Sequence, residues 1–281
     1  MPAPRILLLT ALAMLAFAGN SLLCRLALKH TAIDAASFTG IRLVAGALVL
    51  WLLLRLGRPP LAATGNWRAA TALFVYAAAF SYAYLKLDAG SGALLLFGAV
   101  QLCMVLVGLL RGERLNLPQA LGFVLATGGL VALLLPGASA PPLAGALLML
   151  LAGFAWGVYT LLGREAGPPL AATAGNFLRS LPFALLLALP FASDLRVDVP
   201  GLLYALLSGG LTSGVGYAVW YSALAGLGAL QAASVQLSVP VIAALGGALL
   251  LGESISLRLA LVSVTVLGGI ALVLRGKFRH P

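Results

Sequence analysis

Charge is scarce in this chain, and acid is the scarcer sign. Of 281 residues only 7 are Asp or Glu, against 17 Lys or Arg, and charged residues make up 9% of the whole. Leu115 to Gly163 holds no charged residue, and neither does Val199 to Gly252. Soluble domains carry roughly 25% charge, so that class is excluded. About 20 apolar residues of helix cross a bilayer's hydrocarbon, and each charge-free stretch holds two crossings and a turn.

Histidine and cysteine are equally sparse, with 2 of each. His30 and His280 fall in loops, and no Asp or Glu is expected mid-membrane. A metal centre, a carboxylate dyad or an intramembrane protease therefore lacks its groups. The GxSxG, P-loop and HExxH patterns are absent too. Cys24 and Cys103 lie within apolar runs without CxxC spacing and read as small buried hydrophobes. No cofactor is expected. The net charge of +10 comes from basic residues scattered singly between apolar runs, which argues against nucleic acid as a partner and for topology signals.

What is present is apolar sequence, 62% of the chain. Runs between charge, Gly and Pro breaks predict ten spans: 6–27, 36–55, 68–86, 91–110, 117–135, 143–162, 171–192, 200–223, 229–250 and 257–274. The first has a small-residue cleavage look at Ala16-Phe17-Ala18, but its apolar run continues through Leu23, so a retained helix is expected. With a cytoplasmic N-terminus, Arg5, Arg55, Arg58, Arg68, Arg111, Arg114, Arg164, Arg275, Lys277 and Arg279 fall inside. Arg25, Lys29, Lys86, Arg196 and Arg258 fall outside. This bias favours an inner-membrane protein with both termini cytoplasmic.

The chain also repeats itself. Shifted by 140 residues, 109–135 meets 249–275 with 11 of 27 positions identical, including Gly112-Glu113 with Gly252-Glu253 and Gly128-Gly129 with Gly268-Gly269. A shift of 137 brings Arg42 onto Arg179 at similar depth. Five spans is an odd number, so a second copy enters the membrane upside down. The expected fold is thus all-α integral membrane, ten transmembrane helices arranged as two inverted five-helix repeats, residues 1–138 and 139–281. Inverted repeats around a midplane site are a recurrent transporter architecture.

Two segments, Tyr84 to Gln101 and Gly228 to Pro240, each followed by Gly-Glu, resemble the EamA-type family of the drug/metabolite transporter superfamily. The resemblance extends over nearly the whole chain. It implies a ten-span secondary carrier, not an enzyme, exporting a small organic solute such as an amino acid, metabolite or drug by alternating access. The competing classes are a non-transporting scaffold or sensor and a membrane enzyme on lipid-borne substrates. One departure from the family is visible: Ala18-Gly19-Asn20 stands where span one often carries Trp-Gly, while span six keeps Trp156-Gly157.

Candidate substrate contacts are the polar and aromatic residues placed inside spans: Asn20, Arg42, Tyr82, Gln101, Trp156, Tyr159, Asn176, Arg179, Tyr217, Trp220 and Gln236. Buried amides and hydroxyls require partners, which in lipid means other helices or a wet cavity. Arg42 and Arg179 would face an anionic group or reach for headgroups and carbonyls. Glu113 and Glu253, at the mouths of spans four and nine, are gate candidates. Pro240, placed mid-span nine, would free a backbone carbonyl near Gln236. Expected partners are a small-molecule substrate and the lipid bilayer, with a homodimer left open.

Overall fold

The computed structural model describes residues 3–57, 62–112, 114–137, 140–163, 168–224, 226–227 and 235–275, and these are helical almost throughout. The helices are α1 (Ala3–His30), α2 (Ala35–Leu56), α3 (Trp67–Tyr84), α4 (Ala89–Leu110), α5 (Leu117–Leu134), α6 (Leu143–Gly163) and α7 (Pro169–Ala188). Then come α8 (Val199–Leu206), a π-helical segment (Leu207–Val215) and α9 (Gly216–Leu224), which form one continuous rod. The last two are α10 (Ser238–Leu251) and α11 (Leu257–Arg275).

Local chemistry fixes the helix starts. Asp34 accepts from the Ala36 and Ser37 amides at the head of α2, and Asn66 accepts from the Ala69 amide at the head of α3. Asn116 and Gln119 close a reciprocal capping box on α5. Gly252 ends α10 with φ +63°, a left-handed conformation that costs a glycine least.

Among the described residues, eight helical rods are long and apolar enough to cross a membrane: α1, α2, α4, α5, α6, α7, the α8–π–α9 rod and α11. This is a multi-pass membrane protein. Two of the ten expected spans fall outside that set. The third is helical as α3, but Arg68 and three tyrosines dilute its apolar character. The ninth is helical over the 14 residues of α10, and most of its expected first half, 229–234, lies outside the described residues.

Large apolar side chains point outward, as lipid requires; Leu48, Leu110, Leu121, Leu185 and Leu249 are all exposed. Inward faces are rich in Ala and Gly, which let helices approach closely. Gly153 and Gly157 of α6 pack on α4 against Leu96 O, Ala99 and Cys103. The principal pairings are α5 with α11, α3 with α6 and α7, α4 with α6 and α10, α2 with α7 and the π segment, and α1 with α9, the π segment and α10.

Contacting residues give the directions. Helices α5 and α11 are antiparallel: Gln119 Nε2 donates to Val273 O near one end (3.5 Å), and Arg258 Nη2 donates to Ala132 O near the other (2.6 Å). Arg258 thereby caps the carbonyl end of α5 instead of lying free in a loop. Between those ends Gly122 and Gly269 meet backbone to backbone; a Cβ on Gly269 would lie 2.6 Å from Gly122 O.

Candidate functional site: a midmembrane cleft and an ion-pair latch

A small cleft opens about halfway along the helices. Its walls are Phe17, Asn20 and Ser21 from α1, Tyr76 and Phe80 from α3, and Leu96 and Phe97 from α4. Trp156 from α6, Thr212 and Ser213 from the π segment, and Tyr217 from α9 complete it. Both parts of the chain therefore contribute.

One wall is a hydrogen-bonded polar ladder. Asn20 Nδ2 donates to Tyr76 Oη (3.2 Å), and Ser208 Oγ donates to Asn20 Oδ1 (2.7 Å). Thr212 Oγ1 stands 3.3 Å from the same oxygen. The π segment makes this reach geometrically feasible. Its wider turn lets Ser213 Oγ donate to Ser208 O five residues back (2.9 Å). Gly209 lies so close to Arg42 O of α2 that any Cβ would collide with it. Continuous with it is an aromatic cluster: the Trp156 ring centroid lies 4.8 Å from Tyr76, 5.2 Å from Tyr217 and 5.3 Å from Tyr159, each pair tilted.

Arg42 stands against this cavity. It is 3% exposed, and its guanidinium carbon lies 5.1 Å from the Phe80 ring, 5.8 Å from Tyr76 and 6.0 Å from Phe38. Cation–π attraction and a polar contact with the Tyr76 hydroxyl compensate it in part. Its Nη1 is buried without a hydrogen-bond partner, and so is Ser21 Oγ on the cavity wall. Among the described residues no carboxylate pairs with it. Placing an arginine mid-membrane costs about 2.5–3.5 kcal/mol on insertion scales, so this arrangement opposes stability.

A second buried arginine is treated differently. Arg25, expected at the outer end of span one, lies inside α1, 7% exposed. Its Nε bonds Glu253 Oε1 (2.9 Å), its Nη2 bonds Asp88 Oδ1 (3.1 Å), and its Nη1 donates to Tyr84 O (2.9 Å). Glu253, with a side chain 5% exposed, also accepts from the Ala89 amide (2.8 Å) and faces Lys29 Nζ at 4.0 Å. This cluster ties α1, the end of α3, the start of α4 and the end of α10 into a latch at one end of the bundle. Beside it, Asp34 holds the connection before α8 through Arg196 N.

These features bear on the residues expected from sequence. The cavity gathers Asn20, Trp156 and Tyr217, with Arg42 and Tyr159 against its lining and Trp220 next to Phe17 (5.8 Å). Tyr82 is half-buried away from it, and Gln101 is buried in α4 one turn beyond Phe97. Asn176 and Arg179 are engaged elsewhere. Asn176 Oδ1 accepts from the Asn66 amide (2.9 Å), and Arg179 Nη1 donates to Thr64 O and Gly175 O, strapping α7 to the segment before α3. Gln236 stands just before a break at Leu237, and α10 starts at Ser238. Pro240 therefore occupies the first turn of α10 and not a mid-helix position, because a ring without N–H is best tolerated there. Glu253 joins the latch; Glu113 lies outside the described residues. Sequence reasoning missed Arg25, Ser208, Thr212 and Ser213. Their signal was an arginine short of its helix end and hydroxyls clustered among glycines in an apolar run.

The EamA-like transporter family matches residues 4–135 and again 143–275. This chain belongs to that family. An uncharacterised protein of Pseudomonas aeruginosa is 70% identical over 275 residues, covering 98% of this chain and 96% of that one. An uncharacterised transporter of Archaeoglobus fulgidus is 27% identical over 284 residues, covering 94% and 96%. A crystal structure with 20% sequence identity superposes with a TM-score of 0.64 over 96% of each chain, which supports the fold alone. As an EamA-like transporter, the protein presents its polar cavity about halfway along helices long and apolar enough to cross a membrane.

Proposed function

We propose that this membrane transporter is a secondary carrier of a small organic solute, working by alternating access with export as its net direction. The observation that carries the reading is the midmembrane cleft lined from both parts of the chain and shut at one end by the Arg25 latch. A scaffold has no use for an aromatic cavity edged by an unpaired guanidinium, and an enzyme would need reacting groups that the lining lacks.

Two inverted five-helix repeats, residues 1–138 and 139–281, supply the mechanism. Number the rods one to ten, counting α8–π–α9 as the eighth. Exchanging one with six, two with seven, and so on maps the principal pairings onto each other: three with six becomes eight with one, and four with six becomes nine with one. The antiparallel contact of α5 with α11 has the sense that inversion requires. Two similar halves facing opposite ways give two gates of comparable energy, and exchanging the closed one moves the cleft between faces. With both termini in the cytoplasm of an inner membrane, the latch lies on the outer face. A carrier shut outside loads from inside, and breaking the latch discharges the solute.

The test uses a Ser21→Cys probe in a Cys24→Ala, Cys103→Ala background, reconstituted in liposomes. Membrane-impermeant thiol reagents should reach the cleft from either face, and Glu253→Gln should raise labelling from the latch side. Labelling confined to one face under every condition would remove alternating access.

A further inference from the structure

The strongest unexplained feature is the buried cation at Arg42, with one nitrogen unbonded and, among the described residues, no carboxylate paired with it. Resting on the reading of the cleft as a solute site, we infer that the solute bears a carboxylate, which docks on Arg42 and Ser21 and completes their hydrogen bonding.

Three observations converge. First, Nη1 of Arg42 and Oγ of Ser21 are both buried donors without acceptors, and a carboxylate offers two acceptor oxygens. An arginine fork meets a carboxylate with paired, charge-assisted bonds, the strongest polar contacts available without metal. Second, the guanidinium rests on Tyr76 and Phe80, two rings that also line the cavity, so a short side-chain movement brings it to the solute. Third, the carboxylates that could have neutralised it are spent elsewhere. Glu253 and Asp88 both pair with Arg25 in the latch, leaving the cavity region one positive charge in excess.

That excess also selects against other solutes. An organic cation would suit the aromatic wall but meets a like charge without a counter-ion. A zwitterion's ammonium finds no carboxylate on the lining. A monocarboxylate with an apolar or aromatic body meets both demands, charge at Arg42 and rings at Trp156 and Tyr217, while Asn20 and Thr212 are already bonded within the polar ladder. The loaded cleft is then electrically neutral within the membrane, whereas the empty one is not.

Three probes of matched shape test this: phenylpropionate, phenylpropionamide and phenylpropylamine. Each is titrated against the full-length protein in nanodiscs, reading intrinsic Trp fluorescence, and each is then offered for uptake into proteoliposomes. The carboxylate should bind about 10- to 100-fold tighter than the amide, roughly the range of a single charge-assisted bond. The amine should not bind. Arg42→Gln should erase the preference for carboxylate over amide, and Arg42→Lys should keep part of it, since charge remains but the fork is lost. Both variants must elute as the native species does; where Arg42→Gln does not, Ser21→Ala, which removes the second donor, should still narrow the preference. Equal binding of acid and amide, preferred binding of the amine, no binding of any probe, or an unchanged preference in the variants would each overturn the assignment. Uptake separates the two layers of the argument. Flux of amide or amine alone overturns the carboxylate and leaves the carrier standing, whereas absence of flux for all three counts against the carrier as well.

Discussion

Arg25 and Arg42 are the same residue in the same kind of place, and their surroundings are opposites. Both lie inside spanning helices and are almost wholly buried. Arg25 has two carboxylates and a backbone carbonyl around it; Arg42 has three aromatic rings and an unfilled donor. A paired buried charge is a structural element, because removing one partner leaves the other stranded. An unpaired one is a standing cost that folding alone does not justify, and such costs gather where ligands bind. On the carrier reading proposed above, the difference separates the contact that holds one end shut from the group that meets the solute.

Substitutions at the two sites should therefore diverge. Arg25→Met strands the buried Glu253 carboxylate and should be the most damaging change, at about 3–5 kcal/mol for breaking a buried pair. Part of that is discounted at Asp88, whose side chain is 51% exposed. Thermal unfolding in detergent would register it as a large drop in midpoint, and an unmoved midpoint would mean the latch is ornamental. Gly209→Val comes next. Its side chain must displace the π segment from the Arg42 carbonyl, costing about 1–3 kcal/mol by overpacking and reshaping the cavity wall, visible as altered Trp156 fluorescence.

Asp34 gives a smaller effect with a defined pH signature. Burial raises its carboxyl's pKa, but bonds from the Ser37 hydroxyl and the Arg196, Ser37 and Ala36 amides outweigh that, holding it below its ordinary 3.8. A lowered folded pKa means stability that is fully present above the ordinary value and is lost as pH falls through the folded one. Asp34→Ala should cost about 0.5–2 kcal/mol at neutral pH, and the penalty should shrink on acidification below the ordinary value. A penalty equal at pH 7 and pH 3 would contradict the assignment. Smallest of all is Arg42→Met in the empty protein, where the midpoint should hold or rise. A drop like that of Arg25→Met would make Arg42 a structural residue and erase the contrast.

The sequence made much of the scaffold legible, for a physical reason. Helix in lipid must be apolar over a fixed length, so interruptions mark turns, and most expected boundaries fall within a few residues of α1 to α11. Arg42 was legible too, because an arginine six residues inside a span has few explanations. The latch was not. Arg25 and Glu253 are 228 residues apart, and nothing local in either segment announces the other. The π segment was hidden for a different cause: its glycines at 209, 210 and 214 signal close approach, but the backbone that Gly209 approaches, at Arg42, is more than 160 residues away in sequence. Asn176 and Arg179 show the converse. Their polarity was visible, whereas their engagement with residues 64–66 depended on how the chain before α3 returns along α7.

The glycine contact between α5 and α11 carries a consequence for the working cycle. Where two backbones touch with no side chain between them, sliding or tilting by even a fraction of an ångström is resisted on both sides at once. Gly122, Gly269 and the flanking Gln119 and Arg258 bonds thus weld these helices into a stationary keel. Any rocking that carries the cleft across the bilayer must be performed by the remaining helices. Spin labels on the lipid-facing sides of α5 and α11 should keep one fixed separation while labels elsewhere report two.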